Sequence, residues 1–190
     1  MKKKIILIIM CFFSILDIYC LDISKNNVIL FLFKDKEPVP IYNSPDKDSI
    51  ITKIFDNEKA GKLYAFNALE KKDSMIKIIG WNTINKKKIE GWIKITDTAI
   101  NGRTRTERNI FELYDNADYK SKKFIVDSYW ESYTMIGKKR VKIYKNINEN
   151  FRVFDISGEW LKVEIKGKTK VYKKWLPKEY QCPIVTGGCT

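Results

Sequence analysis

Acid, base and nucleophilic chemistry is restricted in this sequence by one missing residue type. No histidine occurs among its 190 residues, which removes Ser-His and Cys-His nucleophiles and the commonest zinc ligand. Carboxylates remain, and Glu131, Asp155 and Glu159 could be proposed for a glycan hydrolase. They have no recognisable catalytic spacing, and no glycine-rich phosphate loop or calcium loop is present. The sequence therefore predicts a protein that is not an enzyme, with no catalytic residue, metal or cofactor.

The cysteines point to a structural use. Of the four, Cys11 and Cys20 fall in the first twenty residues, which leaves Cys182 and Cys189 near the end of the chain. An even pair in an exported chain, six residues apart across Pro183 to Gly188, indicates a small disulfide loop. We therefore expect residues 181–190 to form a disulfide-closed C-terminal tail.

Residues 1–20 have the pattern of a signal peptide. Lys2, Lys3 and Lys4 precede an apolar run, Ile5 to Leu16, that is too short to span a membrane as a helix. We therefore expect an exported protein that is periplasmic or on the cell surface. Two alternatives stay open: a short anchor that is never cleaved, and attachment to the membrane through a lipid on Cys20.

Charge gives a broad indication of partners. The formal net charge is +13, and removal of the leader, which holds three lysines and Asp17, leaves +11. Such a charge attracts an anionic polymer or a membrane surface. The lysines are scattered along the chain, which favours simple solubility, and no specific nucleic-acid partner is predicted.

Strand patterns dominate the rest of the chain. Apolar and charged residues alternate with a period of two, which puts one face of a strand on a core and the other in water. Turn residues separate these runs, and no segment has a long helical stripe. The sequence predicts an all-β fold. The clearest alternating segments are Met75–Ile79, Gly91–Ile95, Arg140–Tyr144 and Leu161–Ile165.

An internal repeat is the most informative feature. The segment from Ile41 to Ser49 can be laid over the segment from Leu113 to Ser121 without a gap. Each segment then continues into an apolar stretch. The matching positions are aliphatic residues at 41 and 113, Tyr42 with Tyr114, Asp46 with Asp118, and Ser49 with Ser121.

Later strands extend the repeat. In the first copy, Met75-Ile-Lys-Ile78 is followed by a short basic hairpin and Gly91-Trp92. In the second copy, Trp160-Leu-Lys-Val163 is followed by Lys174-Trp175. The second copy is longer by about ten residues, best placed between Asp127 and Asn150. With Asp97–Glu107 as a linker, we expect two domains, residues 37–98 and 107–180.

These motifs resemble those of bacterial SH3-like (SH3b) domains in tandem. The family opens with a strand ending in Tyr, a turn with Pro and an acidic residue, and a Ser before the second strand. It closes with a strand bearing Trp, a hairpin, and a strand that starts Gly-Trp. The residues that fit are Val39, Ile41, Tyr42, Pro45, Asp46 and Ser49 in the opening, Gly158, Trp160 and Val163 in the second copy, and Gly91 and Trp92 in the first.

Three positions depart from the family pattern. Met75 replaces the expected Trp in the first copy, Lys174 replaces Gly in the second, and Ala117 stands where the first copy has Pro. The tail from Trp175 to Cys182 nevertheless resembles the ending of small exported SH3-domain proteins. The resemblance implies two small SH3-like β-barrels in tandem after a signal peptide, and an oligonucleotide-binding barrel is the nearest alternative.

Aromatic residues are the candidate binding groups that this resemblance implies. SH3-like domains hold extended peptides in a groove lined by Tyr and Trp. Strand positions favour a core role for Trp92, Trp160 and Trp175. The candidate residues are Tyr42, Tyr64, Trp92, Tyr114, Trp130, Tyr133, Trp160 and Trp175.

The function expected on this basis is non-catalytic binding in the cell envelope. The partner would be peptidoglycan, a cell-wall peptide or an envelope protein. The alternatives are a structural protein–protein adaptor and a hydrolase that uses carboxylates alone.

Overall fold

The described part of the chain is built from β-strands. The computed structural model describes residues 21–22, 28–33, 38–56, 63–82, 85–102, 110–136, 139–146 and 150–182. These residues contain sixteen strands, two 3-10 helices and no α-helix, which confirms the all-β prediction. Among them, no helix has the length and apolar character needed to cross a bilayer. The predicted leader, residues 1–20, and Cys189 lie outside the described residues.

The strands are short and follow one another closely. A 3-10 helix, Ile95–Asp97, precedes β8, and another, Lys178–Tyr180, precedes β16. The strands are β1 Leu21–Asp22, β2 Ile29–Leu32, β3 Val39–Tyr42, β4 Ile50–Ile54, β5 Tyr64–Lys72, β6 Met75–Asn82, β7 Lys88–Lys94, β8 Thr98–Gly102, β9 Ile110–Tyr114, β10 Lys123–Asp127, β11 Tyr129–Ile136, β12 Lys139–Asn146, β13 Asn150–Ser157, β14 Trp160–Lys166, β15 Val171–Leu176 and β16 Gln181–Cys182.

Hydrogen bonding joins fourteen of these strands into one antiparallel sheet. Their order is β10-β9-β15-β14-β13-β8-β2-β5-β6-β7-β3-β4, with β1 beside β5 and β16 beside β8. Strands β11 and β12 form a separate hairpin in the interval where the sequence predicts extra residues. The further division into two SH3-like barrels, residues 37–98 and 107–180, stays a prediction.

Counted outward from the central strands β2 and β8, the two sides of the sheet have the same pattern of connections. From β2 outward it runs β5, β6, β7, β3, β4, and from β8 outward it runs β13, β14, β15, β9, β10. We call β2–β7 the N-terminal half and β8–β16 the C-terminal half. Both halves have a bulge three residues before the turn of their first long hairpin, between Ala68 and Glu70 and between Val153 and Asp155.

Strand β8 is bonded to both halves. Its start pairs with β2 through Thr98 and Ala99, and its end pairs with β16 through Asn101 and Gly102. Its other side pairs with β13. Thr98, Ala99 and Ile100 are fully buried. The first part of the predicted Asp97–Glu107 linker is therefore a core strand, because its apolar side chains are needed between the halves.

The core runs continuously through the sheet. Phe66 and Phe151 precede the two bulges by the same number of residues, and both are fully buried. The Phe151 and Phe111 rings meet edge to face with centroids 4.9 Å apart, a favourable aromatic geometry. Alternating strand residues from both halves complete this core: Leu30, Ile41, Ile76, Ile78, Ile93, Leu113, Leu161, Val163, Ile165 and Leu176.

Polar contacts also cross between the halves. The Arg152 Nε donates a hydrogen bond to the Thr96 carbonyl oxygen at 2.6 Å, and its guanidinium lies 4.8 Å from the centre of the Phe33 ring. Lys71 donates to the carboxylate of Asp155. These contacts hold β13 against the first 3-10 helix and β5.

Strands β4 and β10 are the outermost strands of the described sheet. Both leave large apolar side chains in water: Ile50 is 49% exposed, Ile51 56% and Ile125 64%. Each strand also carries an exposed lysine, Lys53 in β4 and Lys123 in β10.

Candidate functional site

The candidate aromatics of the N-terminal half are dispersed or buried. Tyr42, at the end of β3, is half-buried and pairs with Trp92 of β7. Trp92 itself is buried. Tyr64 is half-buried and stacks on Phe66, with ring centroids 6.4 Å apart. These three residues leave little exposed aromatic surface for a ligand.

The candidates of the C-terminal half include two that the structure brings together. Tyr114, at the end of β9, contacts Trp160, at the start of β14. Trp175 is half-buried on β15 and pairs with Tyr114. Trp130 and Tyr133 lie on the backbone of β11, and their side chains are outside what the structure describes.

Three rings of the C-terminal half form what we call the aromatic platform: Tyr114, Tyr119 and Trp160. The ring centroids of Tyr114 and Trp160 are 5.3 Å apart, those of Tyr119 and Trp160 4.5 Å, and those of Tyr114 and Tyr119 5.6 Å. All three pairs meet edge to face. Tyr114 is buried, Trp160 is half-buried and Tyr119 is 58% exposed. The platform thus has a packed base and a face open to water.

Local hydrogen bonds position Tyr119. It lies on the turn between β9 and β10, where the Asn116 amide donates to Ser121 Oγ at 3.1 Å and Ser121 Oγ donates to the Asp118 carbonyl at 2.7 Å. The Tyr119 hydroxyl donates to Glu179 Oε2 at 2.8 Å. Such side-chain bonds to a turn fix its backbone. The ring is therefore held in place although it is exposed.

Two carboxylates accept hydrogen bonds from tyrosines of the platform, and a third lies next to Trp160 in sequence. The Tyr114 hydroxyl donates to Glu112 Oε2 at 3.3 Å, and Lys123 Nζ donates to Glu112 Oε1 at 3.1 Å. Lys178 pairs with Glu159, the residue before Trp160. With Glu179, these groups bring three carboxylates to the platform residues or their neighbours, and two of the three are paired with lysines.

Burial raises the pKa of the Tyr114 phenol above its ordinary value of 10.0, and the charge and hydrogen bond of Glu112 raise it further. The neutral phenol therefore stabilises the fold fully below about pH 10, and that stability is lost as pH rises through the folded-state pKa. We expect wild type to lose more stability than Tyr114→Phe as the pH rises above about 10. Urea unfolding across this range measures the difference, and parallel pH curves for the two proteins would contradict it.

Tyr119 and Glu179 are the site residues that sequence reasoning missed. Tyr119 lies within the aligned repeat, where it is matched with Lys47 of the first copy. That difference was the signal, because one copy has an aromatic residue where the other has a cation. Glu179 had no signal, since it lies sixty residues from Tyr119 in sequence.

The corresponding place in the N-terminal half has different chemistry. Met75 begins β6 as Trp160 begins β14, and Met75 is buried. Lys47, five residues after Tyr42 as Tyr119 follows Tyr114, is exposed. A platform of three rings is therefore formed by the C-terminal half and not at this place in the N-terminal half.

Two of the three carboxylates considered for catalysis are paired with lysines. Asp155 pairs with Lys71 and Glu159 pairs with Lys178, while Glu131 lies on β11, whose side chains the structure does not describe. Across the described ranges, no group of three or more His, Cys, Asp or Glu could hold a metal ion. Cys182 is buried at the end of β16, and its predicted bond to Cys189 stays a prediction.

Comparisons with known proteins give no relative. No protein-family model matches the sequence, and no curated protein or solved structure is detectably similar to it. Functional inference therefore rests on the geometry of the platform and on the strand arrangement.

Proposed function

We propose that this chain is an exported, non-catalytic binding protein of two SH3-like units that holds an extended peptide of the cell envelope on the aromatic platform. Peptidoglycan stem peptides are the ligand class that fits this function best. The observation that carries the proposal is the contact of Tyr114, Tyr119 and Trp160, with Tyr119 held in water by Glu179.

The strand pairing supports two related units. Tyr42 pairs with Trp92 in the N-terminal half, and Tyr114 pairs with Trp175 in the C-terminal half. Matching bulges lie in β5 and β13, and a 3-10 helix leads into β8 and β16 alike. The bulges and the 3-10 helices were not part of the sequence repeat that suggested the units, so they support the two units separately from it.

The physical properties of the platform suit an extended peptide. Tyr and Trp offer large flat surfaces and lose little conformational entropy on binding. A peptide backbone in an extended conformation can lie across such faces with its side chains directed to either side. Because the turn hydrogen bonds already fix Tyr119, a ligand would not have to order it.

A pelleting assay with purified peptidoglycan tests the function. We expect wild type to remain bound at about 0.5 M salt, where charge attraction alone is screened to a few ångströms. Tyr119→Ala should bind about tenfold more weakly, which corresponds to about 1.4 kcal/mol and is a moderate loss for an aromatic side chain that a ligand covers. The matched control is Lys47→Ala, the same position in the N-terminal half.

Three results would contradict the proposal. Equal binding by wild type and Tyr119→Ala would remove the platform as the site. Dissociation of wild type from peptidoglycan at about 0.2 M salt would indicate attraction by charge alone. Release of soluble glycan or peptide fragments would indicate an enzyme.

A further inference from the structure

One surface of the C-terminal half brings together cations that are scattered in the sequence. Strands β13, β14 and β15 are neighbours in the sheet, and directly paired residues have their side chains on the same side of a sheet. Glu164 is paired with Arg152 on one neighbour and with Lys173 on the other. Lys162 is paired with Trp175. We call this surface the basic face, and its residues are Arg152, Phe154, Lys162, Glu164, Lys173 and Trp175.

The basic face is on the solvent side of the sheet. Residues that alternate with Lys162 and Glu164 on β14 are fully buried: Leu161, Val163 and Ile165. Because successive side chains of a strand point to opposite sides, Lys162 and Glu164 point away from the core. We propose that the basic face is a binding site for a polysaccharide whose sugars carry carboxylate groups. This second site is distinct from the aromatic platform and does not depend on the function proposed above.

The charge of the basic face is positive. Three of its residues are cations, Arg152, Lys162 and Lys173, and Glu164 is its carboxylate. Arg152 to Lys173 spans two strand intervals, roughly 10 Å at the backbone. Several cations at such intervals suit a polymer with repeating anions better than a single small anion. Guanidinium and ammonium groups form strong charge-assisted hydrogen bonds with carboxylates.

Charged groups at the margins keep this balance positive. Asp155 is paired with Lys71 of β5. Asp97 lies on the 3-10 helix packed against β13, while Lys166 and Lys170 are exposed near the end of the β14–β15 hairpin. Other ion pairs on the neighbouring strands and turns are neutral as pairs: Lys168 with Asp127, Lys174 with Asp115, Lys123 with Glu112, and Lys178 with Glu159.

Aromatic rings position the cations of the basic face. The Lys173 Nζ lies 3.4 Å from the centre of the Phe154 ring, and the Lys162 Nζ lies 5.8 Å from that of Trp175. Arg152 is 5.8 Å from the Phe154 ring, because the bulge of β13 directs Phe154 to this side. An ammonium group has three donors, and one ring face does not use all of them. Cations positioned in this way lose less conformational entropy when an anion binds.

The same contacts favour a polysaccharide over other polyanions. A nucleic-acid strand is held by stacking of its bases on aromatic side chains, whereas Phe154 and Trp175 are half-buried and each has a lysine within cation–π distance. A membrane surface is bound by basic residues together with apolar side chains that enter the lipid, and half-buried rings are poorly placed for that. A flexible carboxylated chain needs only the charge contacts that the basic face offers.

Polygalacturonate, a linear polymer with a carboxylate on each sugar, tests the proposal. Its methyl-esterified form has the same chain without the charge. Calorimetry at about 0.05 M salt, where screening is weak, should show binding of the charged polymer and not of the ester. Lys173→Gln should weaken binding about threefold, the usual size of one exposed ion pair. The control is Lys87→Gln, which removes an exposed lysine from the N-terminal half and should have little effect.

Glu164 gives the sharper variant, because its removal should strengthen binding. Glu164→Gln deletes the carboxylate that stands between Arg152 and Lys173 in the paired row, so affinity for polygalacturonate should rise about threefold. A gain in affinity does not result from misfolding. Glu90→Gln on β7 makes the same change in net charge in the N-terminal half and should leave the affinity almost unchanged.

The outcomes also separate the basic face from the aromatic platform. Tyr119→Ala should bind polygalacturonate as wild type does, and a loss there would overturn a distinct site. Equal binding of the charged and esterified polymers, or no binding of either, overturns the proposal. Equal gains in Glu164→Gln and Glu90→Gln would assign binding to net charge. Tighter binding of single-stranded DNA or of anionic lipid vesicles, with the same loss in Lys173→Gln, would overturn the polysaccharide as the ligand.

Discussion

Replacing Ile100 with alanine is expected to lower the free energy of unfolding of the whole chain by about 2–5 kcal/mol, the usual cost of truncating a fully buried aliphatic side chain. Ile100 is 1% exposed and lies in the middle of β8. Because β8 is hydrogen-bonded to β2, β13 and β16, the loss should reach both halves. Urea unfolding followed by tryptophan fluorescence and by circular dichroism should give one shifted, coincident transition.

An exposed isoleucine provides the matched control. Ile125 on β10 is 64% exposed, and Ile125→Ala should change stability by less than about 0.5 kcal/mol. Two separate transitions in Ile100→Ala, with only one of them shifted, would mean that the halves are independent and that β8 serves one of them.

The second large effect is expected at Gly91. Its φ is 155°, and a Cβ added there would lie 2.5 Å from Ile41 Cγ2 and 2.7 Å from the Tyr42 carbonyl oxygen. The oxygen belongs to the backbone, so it cannot move without disturbing the pairing of β3 with β7. We expect Gly91→Ala to destabilise the protein by about 2–5 kcal/mol, from backbone strain and overpacking together. Urea titration measures the loss in the free energy of unfolding, and thermal unfolding measures the accompanying fall in Tm.

Gly158 separates the two causes. Its φ of 57° also disfavours a side chain, but no atom lies within 4 Å of the added Cβ. Gly158→Ala should therefore cost only the backbone term, about 1–2 kcal/mol. If Gly91→Ala cost no more than Gly158→Ala, the close approach of β3 to Gly91 would not contribute to the loss of stability, which would contradict the prediction.

The strand content was predictable because period-two alternation directly reflects a sheet with one buried face. The end of a strand at Tyr42 and at Tyr114 was predictable for a related reason. Each tyrosine ends a strand before a turn, and the local turn residues around it are repeated. Structure adds that each of them pairs with a tryptophan.

Other features depend on contacts that local patterns cannot contain. Residues 98–102 resemble a linker, since Asn101-Gly102 is a turn signal. They nevertheless form a strand, buried in its first three residues, that is hydrogen-bonded to β2, β13 and β16. Trp160 was expected in the core. It is half-buried because Tyr114 and Tyr119 cover only part of it, whereas Met75 at the corresponding strand start is buried.

The exposed isoleucines on the two outermost strands have a practical consequence for handling the protein. A strand at the edge of a sheet, with apolar side chains, can pair with a strand from another molecule, which is a common route to aggregation. Lys53 opposes this route on β4, because pairing of like strands would bring ammonium groups together, whereas Lys123 on β10 is paired with Glu112. Buffers rich in multivalent anions would weaken this repulsion, so storage in sulfate or phosphate at high concentration should favour precipitation over storage in chloride.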